Sequence, residues 1–182
     1  MVVLRWGHRF RDQRVTAHVA LVARAFGASG LVLADMKDEE VEATVQKIVA
    51  NWGGTFHFTM GIPWKEVVKE WRGKGGLVVH LTAYGENIQT SGVIDRIKAS
   101  GKDVLVIVGS QKVPREFFTP RVSHFNVAVG NQPPSEVSSL AVFLDRLFDG
   151  EELRTVFKDA ELRIIPRKHG KNVAKSRNWS AS

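Results

Sequence analysis

Short apolar runs alternate with segments of helical periodicity along the first 150 residues, and this alternation restricts the fold more than any other feature of the sequence. The apolar runs predict β-strands over residues 2–4, 31–34, 55–58, 77–82, 104–108 and 125–129. Between them, apolar residues that recur every three or four positions predict helices over residues 15–26, 38–52, 63–71, 87–100 and 133–148. Strands that alternate with helices indicate an α/β protein with a mostly parallel sheet and helices on both faces.

The first predicted helix carries an apolar stripe, which we expect to face the core. The stripe consists of Val15, Val19, Val22 and Phe26. The next helix opens with Asp38 and two glutamates, at the end of the helix dipole where acidic residues are favoured.

The pattern changes after Gly150, and we expect the domain to end there. Residues 1–150 are predicted to form one domain. Residues 151–166 are predicted to form a hairpin extension, in which residues 153–157 pair with residues 162–165. Residues 167–182 are rich in cations and poor in apolar residues, and they are predicted to form a mobile basic tail.

The charge balance concerns the partners of the protein more than its fold. Lysine and arginine number 26 against 19 acidic residues, which gives a formal net charge of +7 and a pI near 9.9. Such a surface suits a polyanion such as RNA or DNA, although many basic proteins bind no nucleic acid.

Several classes of protein are excluded or disfavoured by composition. There is no cysteine, which excludes a disulfide scaffold, a zinc-thiolate site and a cysteine nucleophile. The six histidines show no paired spacing for a metal, and His80 is interpreted as a core residue. No apolar run approaches the roughly 18 residues needed to cross a bilayer, and the N-terminal charges follow the apolar residues, unlike a secretion signal. We therefore expect a cytoplasmic protein with no metal and no membrane partner.

Three glycine-bearing loops are predicted to follow buried strands at the carboxyl edge of the sheet, where ligands of parallel sheets bind. They cover residues 80–85, 107–114 and 125–136. None contains the G-x-G-x-x-G fingerprint of dinucleotide-binding folds or the phosphate-binding G-x-x-x-x-G-K-[ST] loop. Glycine in each loop allows the backbone to approach a ligand closely.

These loops, together with the N-terminal helix, resemble the SPOUT class of methyltransferases, and within it the archaeal tRNA 2'-O-methyltransferases that modify the T-loop cytidine at position 56. The matching segments are LRWGHRFRDQRVTAHVALVARAFGA (residues 4–28), VVHLTAYG (78–85), VIVGSQKVPREFF (106–118) and FNVAVGNQPPSEVSSLAVFLDRL (125–147). The resemblance implies a deep C-terminal trefoil knot, a homodimer, a tRNA substrate and S-adenosylmethionine as the cofactor.

The resemblance also assigns cofactor contacts to the three loops. The implied residues are Leu81, Thr82, Tyr84, Gly85, Val108, Gly109, Ser110, Gln111, Lys112, Val113, Val129, Gly130, Asn131, Gln132 and Ser135. Backbone groups of Gly109 and Gly130 are the expected contacts of the adenine and ribose.

An arginine near the first helix is implied as the catalytic residue. Arg14, at the start of the helix, is the first candidate, and Arg9, in the preceding loop, is the second. Arg24 faces away from the apolar stripe and is interpreted as a solvated or dimer-face charge. Because a free guanidinium loses its proton only above pH ~12, an electrostatic role beside a phosphate is at least as good a hypothesis as a general base.

RNA contacts are expected from cations beside the pocket, with the basic tail adding non-specific affinity. These cations are Arg5, Arg9, Arg11, Arg14, Lys112 and Arg115. Trp6 is a candidate for stacking on a base or for core packing. Two other hypotheses stay open: an α/β enzyme that binds NAD, and a non-catalytic RNA-binding protein.

Overall fold

The sheet of this protein is six-stranded and parallel throughout, as seen in a computed structural model that describes residues 1–110 and 112–176. The strands are β1 Val2–Arg5, β2 Gly30–Ala34, β3 His57–Ile62, β4 Leu77–Asn87, β5 Val104–Val108 and β6 Phe125–Ala128. Their order in the sheet is β3-β2-β1-β5-β4-β6, and each neighbouring pair is parallel. The predicted α/β class is confirmed.

Within the described residues, five helices pack on the two faces of this sheet. They are α1 Gln13–Ala25, α2 Glu39–Trp52, α3 Trp64–Gly73, α4 Val93–Ala99 and α5 Glu136–Phe148. One buried cluster joins one face to α1, α2, α4 and α5. A second cluster joins the other face to α3 and to a 3₁₀ turn at Arg115–Phe118. Burial on both faces explains why β5, in the middle of the sheet, is continuously apolar and buried.

The predicted apolar stripe of α1 is confirmed at three of its four positions, because Val22 and Phe26 pack against the same buried cluster as Val19. Val19 is fully buried, but Val15 is 37% exposed. Smaller residues that the stripe did not include, Ala20 and Ala23 together with Thr16, are buried as well. Because α1 contacts both α2 and α5, we attribute the small residues to close helix packing, which a stripe of large apolar residues does not reveal.

The C-terminal hairpin forms with a different partner strand from the predicted one. Residues 153–157 do not form a strand, because the chain makes a 3₁₀ turn at Glu151–Arg154 and the Phe157 ring then packs under the guanidinium of Arg24 at 4.4 Å. The strand β7, Leu162–Ile164, instead pairs antiparallel with β8, Val173–Lys175. Part of the predicted tail is therefore a strand. Residues 177–182 of that tail lie outside the described residues.

The pairing of β4 with β6 is interrupted, and the interruption forms the first glycine loop. Leu81 pairs with Val127, the register then shifts, and Glu86 pairs with the same residue. Residues 82–85 therefore leave the ladder at the carboxyl edge of the sheet. In the part of the chain that the structure describes, no helix has the length and apolar character to cross a membrane.

Candidate active site

The three glycine-bearing loops converge on one cavity of about 470 Å³ at the carboxyl edge of the sheet. Its wall combines apolar and polar side chains, a composition typical of small-molecule sites of this size. The cavity is lined by these residues predicted to bind the cofactor: Leu81, Thr82, Tyr84, Val108, Gly109, Ser110, Val113, Val129 and Asn131.

Five of the predicted cofactor residues do not line the cavity, and another cannot be placed. Gly85, Lys112, Gly130, Gln132 and Ser135 are absent from its wall, and Gln111 lies outside the described residues. Ser135 instead caps α5, where its hydroxyl accepts a hydrogen bond from the Ser138 backbone. The contact of these residues with a cofactor therefore stays a prediction.

Asn131 and Gly85 hold the first and third loops together. The Asn131 amide donates to the carbonyl oxygens of Ala83 at 3.0 Å and Gly85 at 3.2 Å. The Asn87 amide in turn donates to Asn131 at 3.0 Å. At Gly85 a Cβ atom would lie 2.5 Å from the backbone of Asn126. Glycine is required there because two backbone segments touch.

The cavity also has lining residues that the sequence patterns did not predict as site residues. They are His80, Ala83, Phe118, Pro133, Pro134, Glu136 and Ser139. Glu136 and Ser139 are three positions apart on the first turn of α5, which places them on one face of the helix. That spacing could have found them. Phe118 gave no such signal, because its 3₁₀ turn comes from a different part of the chain.

A buried cation fixes the second loop. Arg5 is 1% exposed, and its Nη1 donates to the carbonyl oxygen of Gly109 at 2.9 Å. Its Nη2 lies 3.6 Å from the carboxylate of Glu136. Burial lowers the pKa of Arg5, and the charge of Glu136 opposes this shift. The prediction that Arg5 contacts RNA is wrong, because the side chain is enclosed between β1, the second loop and α5.

A hydrogen-bonded chain extends from Arg5 towards α2. The hydroxyl of Thr16 accepts from Arg5 at 3.5 Å and lies 2.8 Å from Nδ1 of His8. The other ring nitrogen of His8 lies 3.0 Å from Asp38. Asp38 caps α2 through the backbone of Val41. These hydrogen bonds join the loop of residues 6–12 to the sheet and to α2.

Asp38 remains ionised in this buried network. Burial opposes its ionisation, but hydrogen bonds from the Val41 backbone, Gln13 and His8 outweigh that effect and hold the pKa of Asp38 below its ordinary value. A buried carboxylate that receives several hydrogen bonds resists protonation. Asp38 is thus a charged anchor for the start of α2.

His80 is a buried residue that also lines the cavity. Its Nδ1 lies 2.9 Å from the side-chain oxygen of Asn126, so this nitrogen carries the proton. Its ring meets Phe117 and Phe118 edge to face, at centroid distances of 5.4 and 5.0 Å. Desolvation lowers the pKa of His80, against the effect of the Asn126 hydrogen bond. The ring is therefore neutral near pH 7.

The candidate arginines occupy three different environments. Arg14 lines a separate concavity between α1 and α2. Arg9 is exposed and pairs with Asp12 at 3.0 Å. Arg24 is 8% exposed and donates to the carbonyl oxygens of Trp52 and Gly53. The interpretation of Arg24 as a solvated charge is wrong, because the end of α2 accepts its hydrogen bonds.

The loop that carries Arg9 lies directly against the cavity. The backbone nitrogen of Trp6 donates to Val108 at 3.0 Å. Gly7 has a φ of +78°, and a Cβ atom at this position would lie 2.9 Å from Ser110. The Trp6 ring packs edge-on against Phe117, at a centroid distance of 5.6 Å, which is a packing role. The second glycine loop therefore contacts the loop that carries Arg9 and also lines the cavity.

The wall of the cavity carries little net charge. Among the described lining residues there is one carboxylate, Glu136, and no lysine or arginine. Glu136 lies 3.6 Å from the buried guanidinium of Arg5, so its charge is largely offset by that cation. Within the described residues, no three His, Cys, Asp or Glu side chains come together as a metal site.

Comparison with known proteins places the sequence beside tRNA ribose methyltransferases. Residues 52–174 match the family described as tRNA ribose 2'-O-methyltransferase, aTrm56. The chain is 55% identical over 174 residues to the tRNA (cytidine(56)-2'-O)-methyltransferase of Thermofilum pendens, covering 95% of this chain and 94% of that protein. It is 50% identical over 177 residues to the protein of the same name from Thermococcus kodakarensis, covering 95% and 96%.

Solved structures share the fold at low sequence identity. The SpoU methyltransferase AviRb from Streptomyces viridochromogenes, solved with its cofactor AdoMet, matches with a TM-score of 0.59 and 14% identity. That match covers 83% of this chain and 57% of AviRb. An RNA 2'-O ribose methyltransferase matches with a TM-score of 0.61 and 14% identity, covering 83% and 56% of the two chains. The present chain thus spans little more than half of either protein.

Proposed function

The chain belongs to the aTrm56 family of tRNA ribose 2'-O-methyltransferases, and we propose from this premise that it methylates the ribose 2'-hydroxyl of cytidine 56 in tRNA. S-adenosylmethionine is the proposed methyl donor. The observation that carries the proposal is the single cavity in which three glycine-bearing loops meet at the carboxyl edge of the sheet. Relatives at 55% and 50% identity are named for this reaction.

The cavity residues fit this donor by size and chemistry. A volume of about 470 Å³ suits a ligand of that size. Leu81, Val108 and Val129 provide apolar walls for a purine ring, and Thr82 and Asn131 provide polar groups for a ribose. When bound, S-adenosylmethionine supplies a methyl group that its sulfonium already activates.

The protein's contribution to this reaction is mainly alignment. The hydrogen bonds of Asn131 hold the first and third loops at a fixed separation. Arg5 holds the second loop and Glu136 through its buried guanidinium. A rigid wall of this kind converts two substrates into one oriented pair, which lowers the entropic part of the barrier.

We further propose that Arg14 or Arg9 meets the ribose and stabilises its developing negative charge. Arg9 is in the loop that touches the wall of the cavity at Ser110. Arg14 lies in a separate concavity of the same chain, so it would reach a cavity only in a homodimer, as Arg14 of the partner subunit. A homodimer is part of the proposal for this reason.

We also propose a cytoplasmic location, a trefoil knot and an appendage that begins after Gly150. A cytoplasmic location follows from a tRNA substrate. A trefoil knot is supported by the placement of β6 beside β4 at the sheet edge and by the fold likeness to the SpoU methyltransferases. Residues 1–150 are proposed as the methyltransferase domain. The chain after Gly150 is proposed as an appendage whose hairpin and basic residues lie outside the cavity.

Methylation of an unmodified tRNA transcript tests the function. After incubation with the protein and S-adenosylmethionine, nucleoside mapping should locate one 2'-O-methyl group at cytidine 56. A transcript with uridine at this position is the matched control and should gain none. Absence of product on the first transcript, or methylation at another nucleotide, would contradict the proposal.

A further inference from the structure

The face of the sheet covered by α3 carries a concavity that the methyl-transfer site does not use. It has a volume of about 370 Å³ and lies between α3 and the chain around residues 116–122. Four cations line it, Lys65, Lys69, Arg72 and Arg121. Glu116 is the one acid among its described lining residues. The concavity is therefore strongly positive.

Three of these cations are exposed, and the fourth is held in place. Lys65, Lys69 and Arg121 are exposed, and Lys65 lies 3.6 Å from the carboxylate of Glu116. Arg72 is only half-buried but donates to the carbonyl oxygen of Val122 at 3.1 Å. Arg72 thus supports the wall, and the exposed cations are available to a partner.

The concavity lies one 3₁₀ turn away from the candidate active site. In the turn Arg115–Phe118, Glu116 lines the concavity, whereas Phe118 lines the active-site cavity. Phe117 is buried between them, 4.8 Å from the Trp64 ring and 5.4 Å from the His80 ring. A polymer that enters the active site can therefore continue over this turn onto α3.

We propose that this concavity binds the phosphodiester backbone of the tRNA whose ribose occupies the active site, an inference that rests on the proposed function. Lys65 and Lys69 are one helical turn apart, about 6 Å along the axis, so they can contact neighbouring phosphates of one strand. Contacts of this kind fix the position of the nucleic acid and carry most of the salt-dependent affinity, but do not read its sequence.

Charge reversal tests the surface. The variant K65E/K69E/R121E should raise the KM for tRNA by about ten-fold or more and leave kcat almost unchanged. The slope of log affinity against log salt, measured by filter binding, should fall by about one for each lost phosphate contact. Calorimetry with S-adenosylmethionine should give the wild-type Kd, because none of these residues lines that cavity.

Matched variants distinguish the effect of a charge at the concavity from the effect of the net charge of the protein. K69E and K47E each reverse one exposed lysine on a helix, but Lys47 lies on α2 at the opposite face of the sheet. K69E should raise the KM for tRNA several-fold, and K47E should change it by less than about two-fold. E116Q removes the acid from the concavity, so it should lower the KM.

Two outcomes overturn this inference: a wild-type KM and salt slope for the triple variant, or equal effects of K69E and K47E. Failure of the proposed function looks different. In that case the wild-type protein forms no 2'-O-methylcytidine at position 56. Filter binding of tRNA to the same variants still tests the surface then, because it does not depend on methyl transfer.

Discussion

The guanidinium of Arg5 donates to the carbonyl oxygen of Gly109 at 2.9 Å, although the two residues lie 104 positions apart in the sequence. The same side chain lies 3.6 Å from Glu136 at the start of α5. One cation therefore ties the end of β1 to two parts of the cavity wall. Since the cation is buried, its partners cannot be replaced by water at low cost.

The variant Arg5→Met is expected to lose both stability and cofactor affinity. It keeps an extended side chain but removes the charge, leaving the Gly109 carbonyl and Glu136 without this partner. We expect unfolding in urea to show a loss of about 3 kcal/mol. Calorimetry should show S-adenosylmethionine binding weakened by about ten-fold, since the second loop is no longer fixed.

Arg24→Met is the matched control for this variant. Arg24 is also buried and also donates to backbone carbonyl oxygens, but at the end of α2 and away from the cavity. It should lower stability and leave the cofactor Kd unchanged. A wild-type Kd for Arg5→Met would show that the Arg5 contacts do not shape the cavity.

Two glycine substitutions should have opposite effects on stability. In Gly85→Ala, the added Cβ would lie 2.5 Å from the backbone of Asn126, which cannot move aside without disturbing β6. We expect a loss of about 3 kcal/mol. In Gly73→Ala, nothing lies within 4 Å of the new atom, which extends from α3. Stability should rise by up to about 1 kcal/mol, because alanine favours the helix.

Thermal and urea unfolding of both variants measure these changes. Equal stability of Gly85→Ala and the wild type would mean that the first loop is loose enough to accommodate a side chain. That result would weaken the case for a preformed cavity.

The strands, the helices and the cavity were largely predictable because each depends on local pattern. β5 is buried on both faces, and its continuous apolar run predicted this directly. The three loops follow strands that are parallel, so their meeting at one edge followed from the fold class. Likewise, Glu136 and Ser139 could have been found from their spacing on α5.

Arg5, Arg24 and the C-terminal hairpin could not be predicted in this way. Whether an arginine is solvated depends on carbonyl groups that distant segments bring to it, such as Gly109 for Arg5 and Trp52 for Arg24. Leu162–Ile164 pairs with Val173–Lys175 and not with residues 153–157, where the ring of Phe157 packs against Arg24. The spacing of apolar residues in the sequence predicts neither the arginine–carbonyl hydrogen bonds nor the packing of Phe157 on Arg24.

Asp38 should give the folded protein a stability that is lost in acid. Its pKa is held below the ordinary value of 3.8 in the folded state, so folding favours the ionised form. The resulting stabilisation is present above pH 3.8 and declines as the pH falls through the folded-state pKa. Asp38→Asn can still cap α2 but lacks the charge, and should be about 2 kcal/mol less stable near pH 7.

Urea unfolding of the wild type and Asp38→Asn across pH 2.5–7 tests this prediction. The difference in unfolding free energy should be constant at neutral pH and shrink below about pH 4. Glu40→Gln, an exposed acid on the same helical turn, is the control and should show little difference at any pH. A gap between wild type and Asp38→Asn that does not change with pH would exclude the charge of Asp38 as its source.

The placement of Arg14 predicts how two inactive variants behave when they are mixed. Arg14→Ala should lower kcat by about 100-fold or more, as loss of a charge-stabilising donor does. It should bind S-adenosylmethionine normally, because the proposed contact of Arg14 is with the tRNA ribose and Arg14 does not line the cavity of its own chain. Gly109→Val should block the cavity, since even a Cβ at this position would lie 2.2 Å from Val113.

If the cavity receives Arg14 of the partner subunit, a mixed dimer of these variants has one intact site. This site combines the cavity of the Arg14→Ala chain with Arg14 of the Gly109→Val chain. Random exchange of equal amounts then restores about a quarter of the wild-type activity. If the arginine acts within its own chain, no pairing restores a site and the mixture stays inactive. The same experiment with Arg9→Ala distinguishes the two arginines, because the loop of Arg9 touches the cavity of its own chain at Ser110.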